Sequence, residues 1–161
     1  DYGNQNIIGI QGMLWTENIR GSEQMEYHLL PKLLGLAERA WAADPRWTIE
    51  LNSEKRKALY CEAWSAFANV LGKRELPRLD YYHGGYKYRI PSPGAVVRNN
   101  RVEANIQLPG FIIRYTTDGK EPTAKSKVYE GPVTTQQTVK LKAFNREGRS
   151  GKTTTVPLLS D

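Results

Sequence analysis

The hydrophobic pattern of this 161-residue chain changes period near Gly94, and that change constrains the fold more than any other feature. Before it, apolar residues recur every three or four positions, the spacing of one helix face. After it they alternate with polar ones, as on strands with one buried face. The sequence therefore predicts an α+β chain in two parts. Residues 1–72 form the helical part, 73–93 a linker rich in Tyr, Pro and Gly, and 94–161 a β-domain.

In the helical part, a short β-rich run, Ile7-Ile8-Gly9-Ile10, leads into a loop through Gly21. A helix is expected from about Ser22 to Ala43, its face made by Met25, Leu29, Leu33, Leu36, Ala37, Ala40 and Trp41. Pro31 falls inside this pattern and must either kink the helix or mark where the helix proper begins. A second helix is expected from Asn52 or Ser53 to Leu71, with Gly72 as its stop and Tyr60, Trp64, Phe67 and Leu71 as its buried stripe. The linker tyrosines, Tyr81, Tyr82, Tyr86 and Tyr88, are read as packing against one or both halves; an exposed sugar-stacking strip is the alternative.

Six strands are predicted after Gly94: 95–98, 102–107, 112–117, 127–129, 139–145 and 153–156. The alternation is clearest in Val139-Lys140-Leu141-Lys142-Ala143-Phe144, where apolar residues point one way and lysines the other. Asn99-Asn100, Asp118-Gly119 and Glu147-Gly148 supply tight turns. Short strands at this spacing argue for a small immunoglobulin/fibronectin-like β-sandwich, although the chain lacks the cysteine pair of antibody-type domains. Phe111, Tyr115 and Phe144 are expected to face its core, leaving Tyr129 free.

Composition removes several function classes. The single cysteine, Cys61, excludes an internal disulfide and is expected to be a half-buried structural thiol. His28 and His83 have no ligand-spaced partners, so no metal and no cofactor is expected. Residues 1–80 carry net −1 and residues 81–161 net +7, which places the whole +6 excess in the second half. Its cations are scattered singly along strands, which reads as a solvated basic surface and not as a nucleic-acid interface. No apolar run approaches the roughly 18 residues needed to span a membrane.

Gly9-Ile10-Gln11-Gly12-Met13-Leu14-Trp15-Thr16-Glu17 is the stretch that carries chemistry. A buried-type strand ends in glycines, and an aromatic and a carboxylate follow before a helix. That is the order of one βα unit, whose functional groups sit on the loop after the strand. Trp15 offers a flat face for the C–H side of a pyranose, and Glu17 can accept hydrogen bonds from adjacent hydroxyls. Taken alone, Trp15 could equally plug the core and Glu17 could serve the helix dipole.

Gly12-Met13-Leu14-Trp15-Thr16-Glu17, followed by Tyr27-His28-Leu29-Leu30-Pro31-Lys32-Leu33-Leu34-Gly35-Leu36-Ala37-Glu38-Arg39-Ala40-Trp41, resembles the last βα unit of the glycoside hydrolase family 20 β-N-acetylhexosaminidases. The family pattern there is Trp-Ser/Thr-Glu, a Pro-Arg-Leu helix, then Ala-Glu-x-x-Trp. Residues Ile113 to Thr123 and Tyr129-Glu130-Gly131-Pro132 resemble the C-terminal β-sandwich of chitobiases, and the two matches occur in the family's order. The resemblance implies that the chain is a C-terminal fragment: the last strand and helices of a (β/α)₈ barrel, then the sandwich. It implies that Trp15 floors the subsite for the non-reducing N-acetylhexosamine and that Glu17 hydrogen-bonds its O4 and O6 hydroxyls. Glu38 and Trp41 would brace the final helix. Lys32 departs from the family's Arg, keeping the charge without the planar fork.

The resemblance also implies a substrate-assisted retaining mechanism that uses an adjacent Asp-Glu pair. This chain contains no Asp-Glu dipeptide. The pair is expected upstream of Asp1, as is any export signal of a secreted or periplasmic parent acting on N-acetylhexosamine glycans. The chain alone is expected to hydrolyse nothing. The sandwich is expected to brace the barrel, with carbohydrate binding as the alternative. One strand and two helices cannot close a barrel, so the inner face of the first helix is expected to be covered by the second helix, by the linker tyrosines or by self-association with a second copy.

Overall fold

The computed structural model describes residues 5–157. Its elements are α1 (Gly21–Leu29), α2 (Lys32–Trp41), α3 (Ser53–Val70), α4 (Leu76–Leu79) and seven strands. The strands are β1 (Gly94–Arg98), β2 (Arg101–Asn105), β3 (Ile112–Thr116), β4 (Lys127–Val128), β5 (Val133–Thr134), β6 (Val139–Phe144) and β7 (Thr154–Val156). They fall into two compact units. One comprises residues 1–66 and 81–89, the other residues 67–80 and 90–161.

In the first unit the predicted long helix is two helices. Leu30 is extended (φ −99°, ψ 138°), the conformation that a following proline enforces. Pro31 then opens α2, its carbonyl accepting from the Leu34 N–H at 3.0 Å. Pro31 thus marks where a new helix begins. The segment after the turn at 82–84 runs back along α1. The Lys87 N–H donates to the Glu26 carboxylate at 2.7 Å and the Arg89 N–H to the Leu30 carbonyl at 3.0 Å. Tyr88 and Leu30 are buried there, so this segment gives part of the cover expected for the first helix.

Other expectations for this unit do not hold. Ile7–Ile10 joins no sheet among the described residues, and Ile8 is fully exposed. A strand of that composition is stable only between neighbours that take up its backbone groups, and none is present beside it. On α3, Tyr60 and Trp64 are exposed, whereas Leu71 just beyond it is buried. Cys61 is exposed, not half-buried. The start of α3 is as read: the Asn52 side chain accepts from the Lys55 N–H at 2.9 Å, a side-chain N-cap.

The second unit is a β-sandwich with a helical segment packed on it. One antiparallel sheet has the order β1-β2-β5 and the other β4-β3-β6-β7. Val102, Val139 and Leu141 are wholly buried between them, with Ile113, Val156, Ala95, Ala104 and Tyr115 around. Each fully buried aliphatic side chain contributes about 1.5–3 kcal/mol. On β6 the alternation holds: Val139, Leu141 and Ala143 are buried, while Lys140 and Lys142 lie on the opposite face and pair with Glu121. Asn99 and Asn100 both have positive φ (49° and 58°), the type I′ geometry that matches strand twist in a two-residue hairpin.

Tyr129 is not free. Its ring packs on the core and edge-on to Tyr115, and its hydroxyl accepts from the Ala104 N–H at 2.8 Å. Strand β5 pairs only with Arg101 and Val102, so Tyr129 takes up the next N–H that β5 is too short to reach.

Gly72 does not end the helix. The chain passes through it in a wider π turn, Leu71–Glu75, and continues into α4. Gly72 is buried, and the Pro109 carbonyl rests where its Cβ would stand, a close approach that only glycine permits. Asp80, at the end of this segment, accepts from the buried Asn145 amide at 2.9 Å and from Arg149 at 3.3 Å. Residues 67–80 therefore belong to the sandwich unit. Among the described residues no helix is long and apolar enough to cross a membrane.

Candidate functional site

The loop Gln11–Arg20 has no regular secondary structure beyond a turn at Glu17-Asn18, closed by the Ile19 N–H on the Thr16 carbonyl at 3.0 Å. It is anchored from behind by Gly12, whose missing Cβ leaves room for Leu36 of α2. Gly12, Leu14, His28, Lys32 and Leu36 are among the residues around a hollow of about 230 Å³ between loop and helices.

Neither Trp15 nor Glu17 lines that hollow. Trp15 is 74% exposed, so it does not plug the core. Glu17 is also exposed and stands four residues before α1. The helix dipole acts within the first turn, where Glu23 is the acid, and the Arg20 N–H is taken by Gln24 at 2.7 Å. Glu17 therefore does not serve the helix end. Among the described residues, neither Trp15 nor Glu17 has a hydrogen-bond, ion-pair or ring partner. An indole face and a carboxylate, one residue apart, are thus both open to a ligand. The structure does not bring them into contact with each other.

Lys32 is the first residue of α2 and is exposed, with no carboxylate paired to it among the described residues. Glu38 pairs with its neighbour Arg39 at 3.6 Å, and Trp41 is 90% exposed. Among the described residues no cluster of His, Cys, Asp and Glu is placed to hold a metal ion.

A second polar group escaped the sequence reading. On the outer face of β1 and β2, Gly94, Val96, Arg98, Glu103 and Asn105 border an open hollow of about 550 Å³. The clue was in the alternation, since the predicted strands put these side chains opposite the core.

The chain matches two protein families in sequence. Residues 2–44 match the catalytic domain of glycosyl hydrolase family 20, and residues 75–153 match the chitobiase/β-hexosaminidase C-terminal domain. It is 37% identical over 122 residues to an N,N'-diacetylchitobiase of Vibrio harveyi, covering 71% of this chain and 14% of that protein. It is 32% identical over 166 aligned positions to a β-hexosaminidase of Vibrio vulnificus, covering 91% of this chain and 19% of that protein. A 35-residue stretch is 61% identical to a β-hexosaminidase B of Pseudoalteromonas piscicida. The chain thus spans less than a fifth of the length of these relatives.

Proposed function

Since the chain belongs, through both matched segments, to the β-hexosaminidases of glycosyl hydrolase family 20, we propose that it is the C-terminal part of an enzyme removing terminal N-acetylhexosamine from glycans. On this reading residues 1–72 are the last βα unit of the catalytic barrel plus one more helix. Residues 73–93 link them to the sandwich of 94–161. Trp15 floors the sugar subsite and Glu17 accepts hydrogen bonds from O4 and O6 of the non-reducing residue. The Asp-Glu pair that positions the acetamido group and protonates the leaving oxygen lies in another part of the parent. A parent acting on such glycans works outside the cytoplasm, secreted or periplasmic.

The observation that carries this reading is a pair of groups on one loop: a Trp15 face turned to solvent and an exposed Glu17 carboxylate with no partner among the described residues. A neutral sugar is recognised by that combination, an apolar face against its C–H side and an acceptor for adjacent hydroxyls. The exposed apolar residues of the first unit, Ile8, Trp41 and Leu51 among them, support it as well. They mark surface that the rest of a barrel, or a second copy of this chain, would cover.

The test is Glu17→Gln in the full-length enzyme. Each hydrogen bond to a charged group is worth about 1.5–3 kcal/mol, so kcat/KM for an N-acetylglucosaminide should fall about 10- to 100-fold. The loss should shrink for 4-deoxy and 6-deoxy substrates, which lack a bond to lose. An equal loss on all three would remove Glu17 from the hydroxyl contact.

A further inference from the structure

Both sheets of the sandwich present polar faces to solvent, and one region is organised beyond what solvation requires. In the β1–β2 register, Gly94 opposes Asn105, Val96 opposes Glu103 and Arg98 opposes Arg101. All six positions lie on the outer face. The floor at Gly94 is bare backbone, and the Asn105 amide oxygen stands over it, 2.9 Å from where a Cβ would be. Val96 is half exposed and supplies an apolar strip beside that floor.

The polar groups around the floor are only loosely engaged. Arg98 and Glu103 approach to 3.7 Å, an ion pair too long for a hydrogen bond. The Asn105 amide makes no side-chain hydrogen bond among the described residues. Arg98 also stands directly opposite Arg101, an arrangement that costs stability in an antiparallel pair. One cation, one anion and one amide border the hollow of about 550 Å³. With Arg101 on the same face the group carries one excess cation, and it is rich in both donors and acceptors.

We propose that this outer face of the β1–β2 hairpin binds a neutral pyranose unit of an N-acetylated oligosaccharide. Glu103 accepts from ring hydroxyls, Arg98 donates to hydroxyl or acetamido oxygens, Asn105 does both, and Val96 meets the C–H face. The choice of an N-acetylated ligand rests on the hexosaminidase reading above; the existence of the site does not. In a glycan-cleaving parent such a site would hold the polymer away from the point of cleavage.

The experiment is a titration of the ¹⁵N-labelled 161-residue chain with N-acetylglucosamine tetramer, read by amide shifts. Saturable shifts at Val96, Arg98, Glu103 and the Asn105 side-chain amide are expected, with an affinity reduced at least tenfold by Arg98→Ala and by Glu103→Gln. Both side chains are exposed, so folding should survive, and unchanged core shifts will show that it has. These shifts should persist in Glu17→Gln, which separates the hairpin from the barrel subsite. A response of the hairpin to cellotetraose alone would keep the site and reject the N-acetyl preference. No shift up to the solubility limit, or shifts confined to other surfaces, would overturn the proposal.

Discussion

Glu121 shows how much a solvent-exposed carboxylate can be shaped by its neighbours. The Thr153 hydroxyl donates to it, and Lys140 and Lys142 approach at 2.9 and 3.3 Å. The Thr153 hydrogen bond first, then the lysines, hold its pKa down from an ordinary 4.5 to about 2. A carboxylate with a depressed folded-state pKa contributes stability that is full above about 4.5 and lost as pH falls toward about 2. Melting temperature should therefore drop between those values, and Glu121→Gln should flatten the drop; parallel curves would show that the cluster is inert. Salt should weaken the effect, because the pairs are exposed. At this scale, what the sequence conveyed was chemistry, not company. Trp15 and Glu17 were readable as loop groups able to meet a sugar, and the structure leaves both open. Tyr129 was not readable, because its partner at Ala104 is 25 residues away and is created by the shortness of β5.

Among the elements, local signals were legible and close approaches were not. Alternation and turn residues located six of the seven strands to within about two residues, since each depends on its own few side chains. Strand β5, two residues long, has too little pattern to see. Pro31 placed the α1–α2 break correctly. Gly72 misled, because a glycine that ends a helix and one that admits a neighbouring backbone look identical in sequence. Here Gly72 and Gly110 admit each other's strands of chain: a Cβ on either would strike the other's backbone or that of Pro109. Gly110 also has φ 94°, so alanine there meets both a clash and a left-handed backbone. Gly72→Ala should cost about 1–3 kcal/mol and Gly110→Ala more. Gly119→Ala, with φ 79° but open space around it, should cost only about 1–2 kcal/mol. Urea denaturation monitored on the sandwich will rank them, and an equal cost for all three would refute the close-approach account.

For the whole molecule, nothing in the hydrophobic pattern measures how unevenly burial is distributed. In residues 5–66 only Leu30 is buried, whereas the sandwich unit closes over Val102, Val139 and Leu141. Backbone hydrogen bonds not covered by packed side chains open readily. Hydrogen exchange should therefore be fast through α1 and α2 and slow through β3 and β6; uniform protection would contradict this. The same unevenness is what the proposed reading expects of helices that pack against further parts of a barrel. On the proposed reading this chain supplies sugar contacts and no group that cuts. The most direct test of that reading is nitrophenol release from nitrophenyl N-acetyl-β-glucosaminide by the purified 161-residue chain, beside the full-length enzyme. Release is expected from the full-length enzyme, and none from the chain above buffer. Saturable release by the chain, abolished by Glu17→Gln, would contradict that reading.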